Sequence, residues 1–416
     1  MGASENREVR PSGRITRLRV RNYRSLADVD LTLEPLTVFV GLNGAGKSNL
    51  LDVLRFVRDV VTGRMEIAVG QRGGMSALRR WSPKGRPVDV SIELHVEGED
   101  WRAEYAFTLG GERRGEFRIK TESCRVDYQG EVHSYRIVNG QWEEMPSVQQ
   151  EFLNLLSQGV PMPPDEIQQR ITSVPPTELF LPRAALLLGD LAFAALWNTL
   201  RDMGFYTLYP NTFRAPAPPA NPYPLEDDGK NIASTLQALR KEHPQAYDRI
   251  RRYLQAAVPG VEDIGVIRVG SYLVVQVLHS QGERRAAFDL AQEADGTLRL
   301  LALFTALFQE PLRTLVGIEE PELNIHPGAL MVLRGALDLA SRRTQVLITT
   351  HSPDLLDKFP PESFRVVEME DGITQVGPMV TYQQEAIRDR LFTPGELFRI
   401  EDLRREETYA PAVDVG

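Results

Sequence analysis

The chain has 416 residues, of which 42% are hydrophobic and 25% are charged, an ordinary globular composition that is too long for one small core. Its formal net charge of −9 excludes a surface coated for nonspecific nucleic-acid binding, although a local basic patch stays open. One cysteine, Cys124, excludes an intramolecular disulfide, and the sequence has neither a membrane-length apolar run nor a signal-peptide core, so we expect a cytoplasmic protein outside the membrane.

The first 110 residues predict strands, then a helix, then strands again. Residues 1–13 are expected to be a disordered tail. "ITRLRV" at 15–20 alternates in polarity and "LTVFV" at 36–40 is a short apolar run, as in strands. After "GLNGAGKSNL" the apolar residues take helical spacing, and the alternation from Val88 to Leu109 predicts long antiparallel strands.

The middle of the chain predicts an insertion. Helical patterns broken by prolines occupy residues 148–205, and a proline-rich connector follows at 209–229. Helical patterning resumes at "NIASTLQALRKEH", and "YLVVQVL" predicts a strand. We therefore expect residues 111–285 to form an inserted, mainly helical subdomain or arm.

The last third alternates strands and helices. "TLVGI" and "TQVLITT" are apolar, β-branched runs typical of buried strands, and residues 328–340 between them carry a helical apolar stripe. Such alternation predicts a mostly parallel sheet covered on both faces. Residues 371–416 are expected to form a C-terminal tail.

Residues Gly41 to Ser48, "GLNGAGKS", fit the phosphate-loop pattern G-x-x-x-x-G-K-[ST] without a mismatch. Glycines let backbone N–H groups converge on phosphate, and the following helix points its positive end at the anion. Lys47 would neutralise the β- and γ-phosphates, and the Ser48 hydroxyl would bind Mg²⁺. The sequence predicts a site for ATP and Mg²⁺, with these nucleotide-binding residues: Gly41, Asn43, Gly44, Ala45, Gly46, Lys47, Ser48 and Asn49.

Two adjacent glutamates, Glu319 and Glu320, end the apolar run "LVGI". Crowded carboxylates need a cation, a proton or solvent nearby, so a solvated turn is one interpretation. The phosphate loop favours another, because a Mg²⁺-nucleotide site needs an acid at the end of a neighbouring strand. Glu319 would then hold the metal, and Glu320 would orient and deprotonate the attacking water.

Four segments occur in the order "GLNGAGKSNLLD", "ADGTLRLLAL", "GIEEPELNIHP" and "TTHSP". Together they resemble the ATP-binding-cassette ATPases of the SMC, RecF and OLD (overcoming lysogenization defect) group, also known as AAA-type predicted ATPases. The resemblance covers residues 14–95 and 286–360 and is loose over 110–280. It implies an α/β P-loop NTPase of the ABC-type ATPase head class, with a mostly parallel core sheet, an antiparallel β lobe and an ATPase domain made of residues 14–110 and 286–370.

The resemblance also implies residue roles. Glu319 matches the Walker B acid and Glu320 the catalytic carboxylate. Lys47 is expected to be a catalytic residue as well. His351 matches the switch histidine, although a lone histidine at a strand end is often only structural. Further roles fall on Asp295, Gly296 and Thr297, which would bind the nucleotide of a second protomer, and on Gln71, a candidate Mg²⁺ ligand.

The signature segment departs from the group at Ala294, where a serine is common, so a hydroxyl that could reach the γ-phosphate is missing. Arg72, Arg79 and Arg80 beside Trp81 could form a basic patch or only a solvated face. The LSGGQ-type signature of transporter motors is absent, and we expect an ATPase of this group without a TOPRIM nuclease domain.

The resemblance implies a switch that dimerises head to tail around ATP·Mg²⁺. DNA repair, DNA maintenance or anti-phage defence is the first hypothesis. The alternative is an ATPase that regulates a protein partner, a toxin or nuclease, without binding DNA.

Overall fold

The computed structural model describes residues 13–80, 88–111, 117–146, 174–187, 190–281 and 284–406. The predicted tail over residues 1–12, Trp81 of the suggested basic patch and most of the helical stretch before residue 174 lie outside these ranges.

The strands, in chain order, are β1 (Arg14–Tyr23), β2 (Leu26–Thr32), β3 (Leu36–Val40), β4 (Val90–Glu97), β5 (Trp101–Gly111), β6 (Phe117–Tyr128), β7 (Glu131–Val138), β8 (Gln141–Glu144), β9 (Gly204–Tyr206), β10 (Val261–Val269), β11 (Tyr272–Gln281), β12 (Arg284–Asp289), β13 (Leu315–Glu319), β14 (Gln345–Thr350), β15 (Phe364–Glu370) and β16 (Ile373–Pro378).

The helices are α1 (Lys47–Thr62), α2 (Met65–Gln71), α3 (Met75–Leu78), α4 (Leu181–Leu187), α5 (Leu191–Arg201), α6 (Pro210–Phe213), α7 (Ile232–Glu242), α8 (Pro244–Ala257), α9 (Asp295–Phe308), α10 (Leu330–Ser341), α11 (Pro353–Leu356), α12 (Thr381–Arg388) and α13 (Pro394–Ile400). Among these described helices none is long and apolar enough to cross a membrane.

The central sheet has the strand order β16-β15-β3-β14-β13-β9, and its strands are parallel except β16, which runs antiparallel to β15. Alternate side chains enter two different apolar clusters. Phe39, Leu315 and Leu347 join the cluster of α1, whereas Val38, Val316 and Ile348 join that of α9 and α10. The sheet is therefore covered on both faces, as the buried runs predicted.

The register of this sheet brings three strand ends together. Glu319 pairs with Thr349, and Thr350 pairs with Val40. The residues that follow β3, β13 and β14 therefore leave the sheet at one edge, where ligands bind in open α/β sheets.

A seven-stranded antiparallel sheet, in the order β2-β1-β4-β5-β6-β7-β8, packs beside α1. Its strands continue past the expected domain boundary at residue 110, because β6 pairs with β5 along its length. Farther on, β9 is an edge strand of the central sheet, next to β13. The stretch 111–285 is thus not a separate insertion. Its first strand, β6, pairs with β5 of the antiparallel sheet, and the buried strand β9 in its middle pairs with β13 of the central sheet.

The expected C-terminal tail is corrected by the structure up to Glu406. β16 completes the edge of the central sheet, and Thr374 within it is fully buried. α12 and α13 follow. The remaining residues, 407–416, lie outside the described ranges.

One carboxylate, Glu122, anchors α4 and the chain before it to the antiparallel sheet. It is almost fully buried, and it accepts hydrogen bonds from the hydroxyls of Tyr105 (3.0 Å) and Tyr135 (2.7 Å) and from the N–H groups of Phe180 (2.7 Å) and Leu181 (3.0 Å). Burial raises the pKa of Glu122, and these four donors oppose the rise.

Replacing Glu122 by alanine should lower the free energy of unfolding by about 3 kcal/mol, because four buried donors lose their acceptor. Urea denaturation followed by circular dichroism measures the change. Glu104→Ala on β5 is the matched control, since the Glu104 side chain is 65% exposed, and it should change stability by less than about 0.5 kcal/mol. Equal effects of the two substitutions would contradict the anchoring role.

Candidate functional site

The phosphate loop connects β3 to α1 and takes a conformation that needs glycine. Gly44 and Gly46 have φ angles of 81° and 100°, in the left-handed region that side chains disfavour. A Cβ on Gly46 would lie 2.0 Å from the Thr374 hydroxyl, and one on Gly41 would lie 2.1 Å from the Val367 carbonyl. Packing against β15 and β16 therefore excludes side chains at two of the pattern's positions.

Lys47 folds back into this loop. Its ammonium donates hydrogen bonds to the carbonyls of Gly41 (2.7 Å) and Leu42 (2.9 Å). Burial lowers the pKa of Lys47, while the carboxylates of Glu320 and Glu322 act in the opposite direction. A positive charge thus lies inside the loop and within electrostatic reach of residues 319–324, called the acidic segment below.

Asn49, assigned to nucleotide binding from the sequence, makes a structural contact. Its amide donates to the Ser25 hydroxyl (2.7 Å), which lies 2.6 Å from the Thr374 hydroxyl. Thr374 in turn donates to the carbonyl of Ala45 (3.0 Å). The β1–β2 turn and β16 therefore buttress the loop. Thr374 was missed because its segment was assigned to a tail, and no local pattern marks it.

Two of the predicted metal ligands, Ser48 and Glu319, lie next to each other in the structure. The Ser48 hydroxyl donates to Glu319 at 2.7 Å, across 271 residues of sequence. A hydroxyl and a carboxylate suit Mg²⁺, which takes one or two protein oxygens and completes its shell with phosphate and water. The described residues include no group of three histidine, cysteine or acidic side chains that could hold a metal without a nucleotide.

Gln71, the third proposed ligand, ends α2 and is exposed. Among the hydrogen bonds of the described residues, none connects it to Ser48 or Glu319, and its role stays a prediction. The neighbouring Arg72 has a side chain only 5% exposed, which donates to Asp52 (3.1 Å) and Asp59 (2.9 Å) of α1. Arg72 therefore fastens α2 to α1 and does not contribute to a surface basic patch.

Glu320 and His351 meet at the edge of the central sheet. Glu320 has a φ angle of 45°, and its N–H donates to the Thr349 carbonyl (3.0 Å). His351 Nδ1 lies 2.9 Å from Glu320 Oε1, close enough for an ion pair when the ring is protonated, but the approach is off the hydrogen-bond direction. The two predicted catalytic side chains are therefore adjacent.

Arg299, on α9, holds the backbone of the acidic segment. Its guanidinium donates to the carbonyls of Glu319 (3.2 Å), Glu320 (2.7 Å) and Leu208 (2.6 Å). Burial lowers the pKa of Arg299, and the carboxylate of Glu322 opposes this. Sequence reasoning missed Arg299 because its neighbours on both sides, Leu298 and Leu300, are apolar and no local pattern marks its contacts.

Two family models match this chain. Residues 14–102 match "AAA ATPase domain", and residues 202–357 match "AAA domain, putative AbiEii toxin, Type IV TA system".

Three curated relatives match over shorter stretches. OLD nuclease from Thermus scotoductus is 51% identical over 43 residues, 10% of this chain and 8% of the relative. Structural maintenance of chromosomes protein 1 from Arabidopsis thaliana is 40% identical over 134 residues, 31% and 11% of the two chains. DNA replication and repair protein RecF from Arthrobacter is 42% identical over 87 residues, 20% and 22%.

The chain is therefore similar to ATPases of the SMC, RecF and OLD group. The matches cover less than a quarter of the length of each of these relatives.

Solved SMC heads align with this chain at low identity. The Smc head bound to the C-winged helix domain of ScpA covers 90% of this chain and 99% of its own, at 13% identity and a TM-score of 0.47. The head domain from Thermotoga maritima covers 88% and 100%, at 13% identity and a TM-score of 0.42.

The predicted signature segment lies at the start of α9. Asp295 is exposed and pairs with Arg214, whose guanidinium also donates to the carbonyls of Ala291 (3.2 Å) and Glu293 (3.0 Å). Gly296 packs on the acidic segment, since a Cβ there would lie 2.6 Å from the Asn324 carbonyl. Thr297 is buried, so of the three predicted residues its side chain is the least available to a second protomer.

Gly46→Ala should weaken ATP binding by roughly tenfold or more, because a left-handed alanine is strained and its methyl group meets Thr374. Titration with a fluorescent ATP analogue measures the affinity. Gly335→Ala is the control: Gly335 lies within α10 with open space around it, so affinity should not change and stability should rise by about 0.5–1 kcal/mol. Wild-type affinity in Gly46→Ala would contradict the loop assignment.

Proposed function

We propose that this protein is an ATPase, which binds ATP with Mg²⁺ and hydrolyses it at the edge of the central sheet. The observation that carries this proposal is the 2.7 Å hydrogen bond from Ser48, the last residue of the phosphate loop, to Glu319, the first carboxylate of the acidic segment. Two motifs far apart in sequence supply adjacent oxygen groups of the kind that Mg²⁺ prefers.

The residues divide into roles. Lys47 and the loop N–H groups would hold the β- and γ-phosphates. Ser48 and Glu319 would hold Mg²⁺, which when bound would neutralise developing charge on the phosphate oxygens. Glu320 accepts a proton from the attacking water. His351, 2.9 Å from Glu320, responds to the γ-phosphate or the water and orients the carboxylate.

Dimerisation is the second part of the proposal. Two copies would close head to tail with twofold symmetry, so that the start of α9 in each faces the nucleotide of the other. Asp295 is exposed and Gly296 is half-buried at that helix start, where backbone N–H groups favour an anion. Arg214 supports the idea because it neutralises Asp295, whose charge would otherwise repel phosphate.

For the process, we propose a cytoplasmic ATP-driven switch that acts in DNA repair, DNA maintenance or anti-phage defence. The names of RecF, SMC protein 1 and OLD nuclease among its relatives support a DNA-related role. The alternative is regulation of a protein partner, a toxin or nuclease, without DNA contact. The description of the model that matches residues 202–357, with its toxin system, supports this second candidate.

ATP turnover with and without duplex DNA tests both parts. Lys47→Ala should lose nucleotide binding, and Glu320→Gln should keep binding but lose at least about 100-fold in kcat, since the proton acceptor is gone. Hydrolysis at the wild-type rate by both variants would overturn the site assignment.

Light scattering of Glu320→Gln with ATP tests dimerisation, and a mass that stays monomeric would overturn the proposed dimer.

The comparison of turnover with and without duplex DNA distinguishes the two candidate processes. Stimulation by duplex DNA that falls steeply as salt is raised would support a DNA-responsive switch, because phosphate contacts release counterions. Turnover that depends on Lys47 and Glu320 but ignores DNA would favour a protein partner.

A further inference from the structure

Glu322 is a third carboxylate of the acidic segment, and the proposed roles leave it unused. Its side chain is half-buried, and its Oε1 accepts a hydrogen bond from the Thr350 hydroxyl. Its Oε2 is shielded from solvent and has no hydrogen-bond partner among the described residues. Burial raises the pKa of Glu322, and the bond from Thr350 opposes this. A carboxylate oxygen that is shielded from water and unpaired needs an explanation.

Thr350, the partner of Glu322, immediately precedes His351. Thr350 is fully buried at the end of β14, and its hydroxyl also accepts a hydrogen bond from the N–H of Ser352 (3.0 Å). One hydroxyl thus fixes the residues on both sides of His351. Glu322 is the group that connects this hydroxyl to the acidic segment.

Three contacts join the residues at the end of β13 to those at the end of β14. The Glu320 N–H bonds to the Thr349 carbonyl, Glu320 Oε1 lies beside His351 Nδ1, and Glu322 bonds to Thr350. The first two contacts involve Glu320 or His351 directly. The third, between Glu322 and Thr350, affects the position of His351 through the backbone.

We propose that Glu322 is a positioning residue, which holds His351 in register with Glu320 through the Thr350 hydroxyl. This inference rests on the proposed hydrolysis reaction. His351 and Glu320 have side chains that are 39% and 32% exposed, so packing alone does not select one arrangement of the pair. A misplacement of about 1 Å at a reacting group costs up to roughly 100-fold in rate, so a bond that removes this freedom has a measurable effect.

Thr350→Val keeps the side-chain shape and removes the hydroxyl. It should lower kcat for ATP about tenfold or more and leave KM within about twofold, because Lys47, Ser48 and Glu319 are untouched. Glu322→Ala should give the same result, and the double variant should be no worse than either single one. Thr350→Ser restores the hydroxyl and should recover most of kcat.

The control is Thr305→Val in α9. It removes an equally buried hydroxyl, bonded at 2.7 Å to the Leu301 carbonyl within the same helix, and should leave kcat unchanged. Circular dichroism of every variant separates slow turnover from unfolding. A folded Thr350→Val with wild-type kcat, or a Thr305→Val as slow as Thr350→Val, would overturn the proposal.

Glu322→Gln separates positioning from proton transfer. Glutamine keeps an acceptor oxygen for Thr350, so kcat should stay within about threefold of wild type. A variant as inactive as Glu320→Gln would show that Glu322 acts on protons and would overturn the positioning role.

A double-mutant cycle tests whether the effect acts through Glu320. In the Glu320→Gln background, Thr350→Val should cause no further loss of kcat, whereas an additive loss would overturn the inference. The two proposals can fail separately. Wild-type turnover unaffected by Glu320→Gln refutes the hydrolytic site itself, whereas turnover that needs Glu320 but ignores Thr350 and Glu322 refutes only the positioning role.

Discussion

The parallel register of β3, β14 and β13 is the constraint on which the site depends. Backbone pairing places Val40, Thr350 and Glu319 at one edge of the sheet. The phosphate loop, the histidine and the acidic segment each begin within one or two residues of a strand end, so short connections leave them little freedom. Sheet hydrogen bonds therefore determine the distance between Ser48 and Glu319, the two groups proposed to bind Mg²⁺.

The same edge concentrates charge, and the fold balances it. Three glutamates leave β13 within four residues, and Lys47 and Arg299 approach them from α1 and α9. Arg299 bonds the backbone carbonyls and leaves the carboxylates free for other partners. The three acids can then serve different roles, since Glu319 lies beside a hydroxyl, Glu320 beside a histidine and Glu322 against a buried threonine.

Local pattern was enough to predict the central sheet, the phosphate loop and the adjacency of Glu319 to Ser48, because each depends on a short motif at a strand end. It was not enough for β9, three residues long, or for the continuation of the antiparallel sheet past residue 110, since pairing partners are a nonlocal property. Thr374 and Arg299 act through contacts with distant backbone atoms, which leave no periodicity. Asn49 matched a motif, yet a neighbouring hydroxyl occupies its side chain.

The hydrogen bond from Thr374 to the phosphate loop affects when this loop can reach its final conformation during synthesis. Thr374 follows Ala45, whose carbonyl it binds, by 329 residues. At a synthesis rate of about 5–20 residues per second, the loop leaves the ribosome roughly 15–65 s before its support exists. Contacts this distant in sequence also form slowly. The nascent chain therefore carries the nucleotide motif long before it can hold the motif in shape, and nucleotide binding is acquired late in biogenesis.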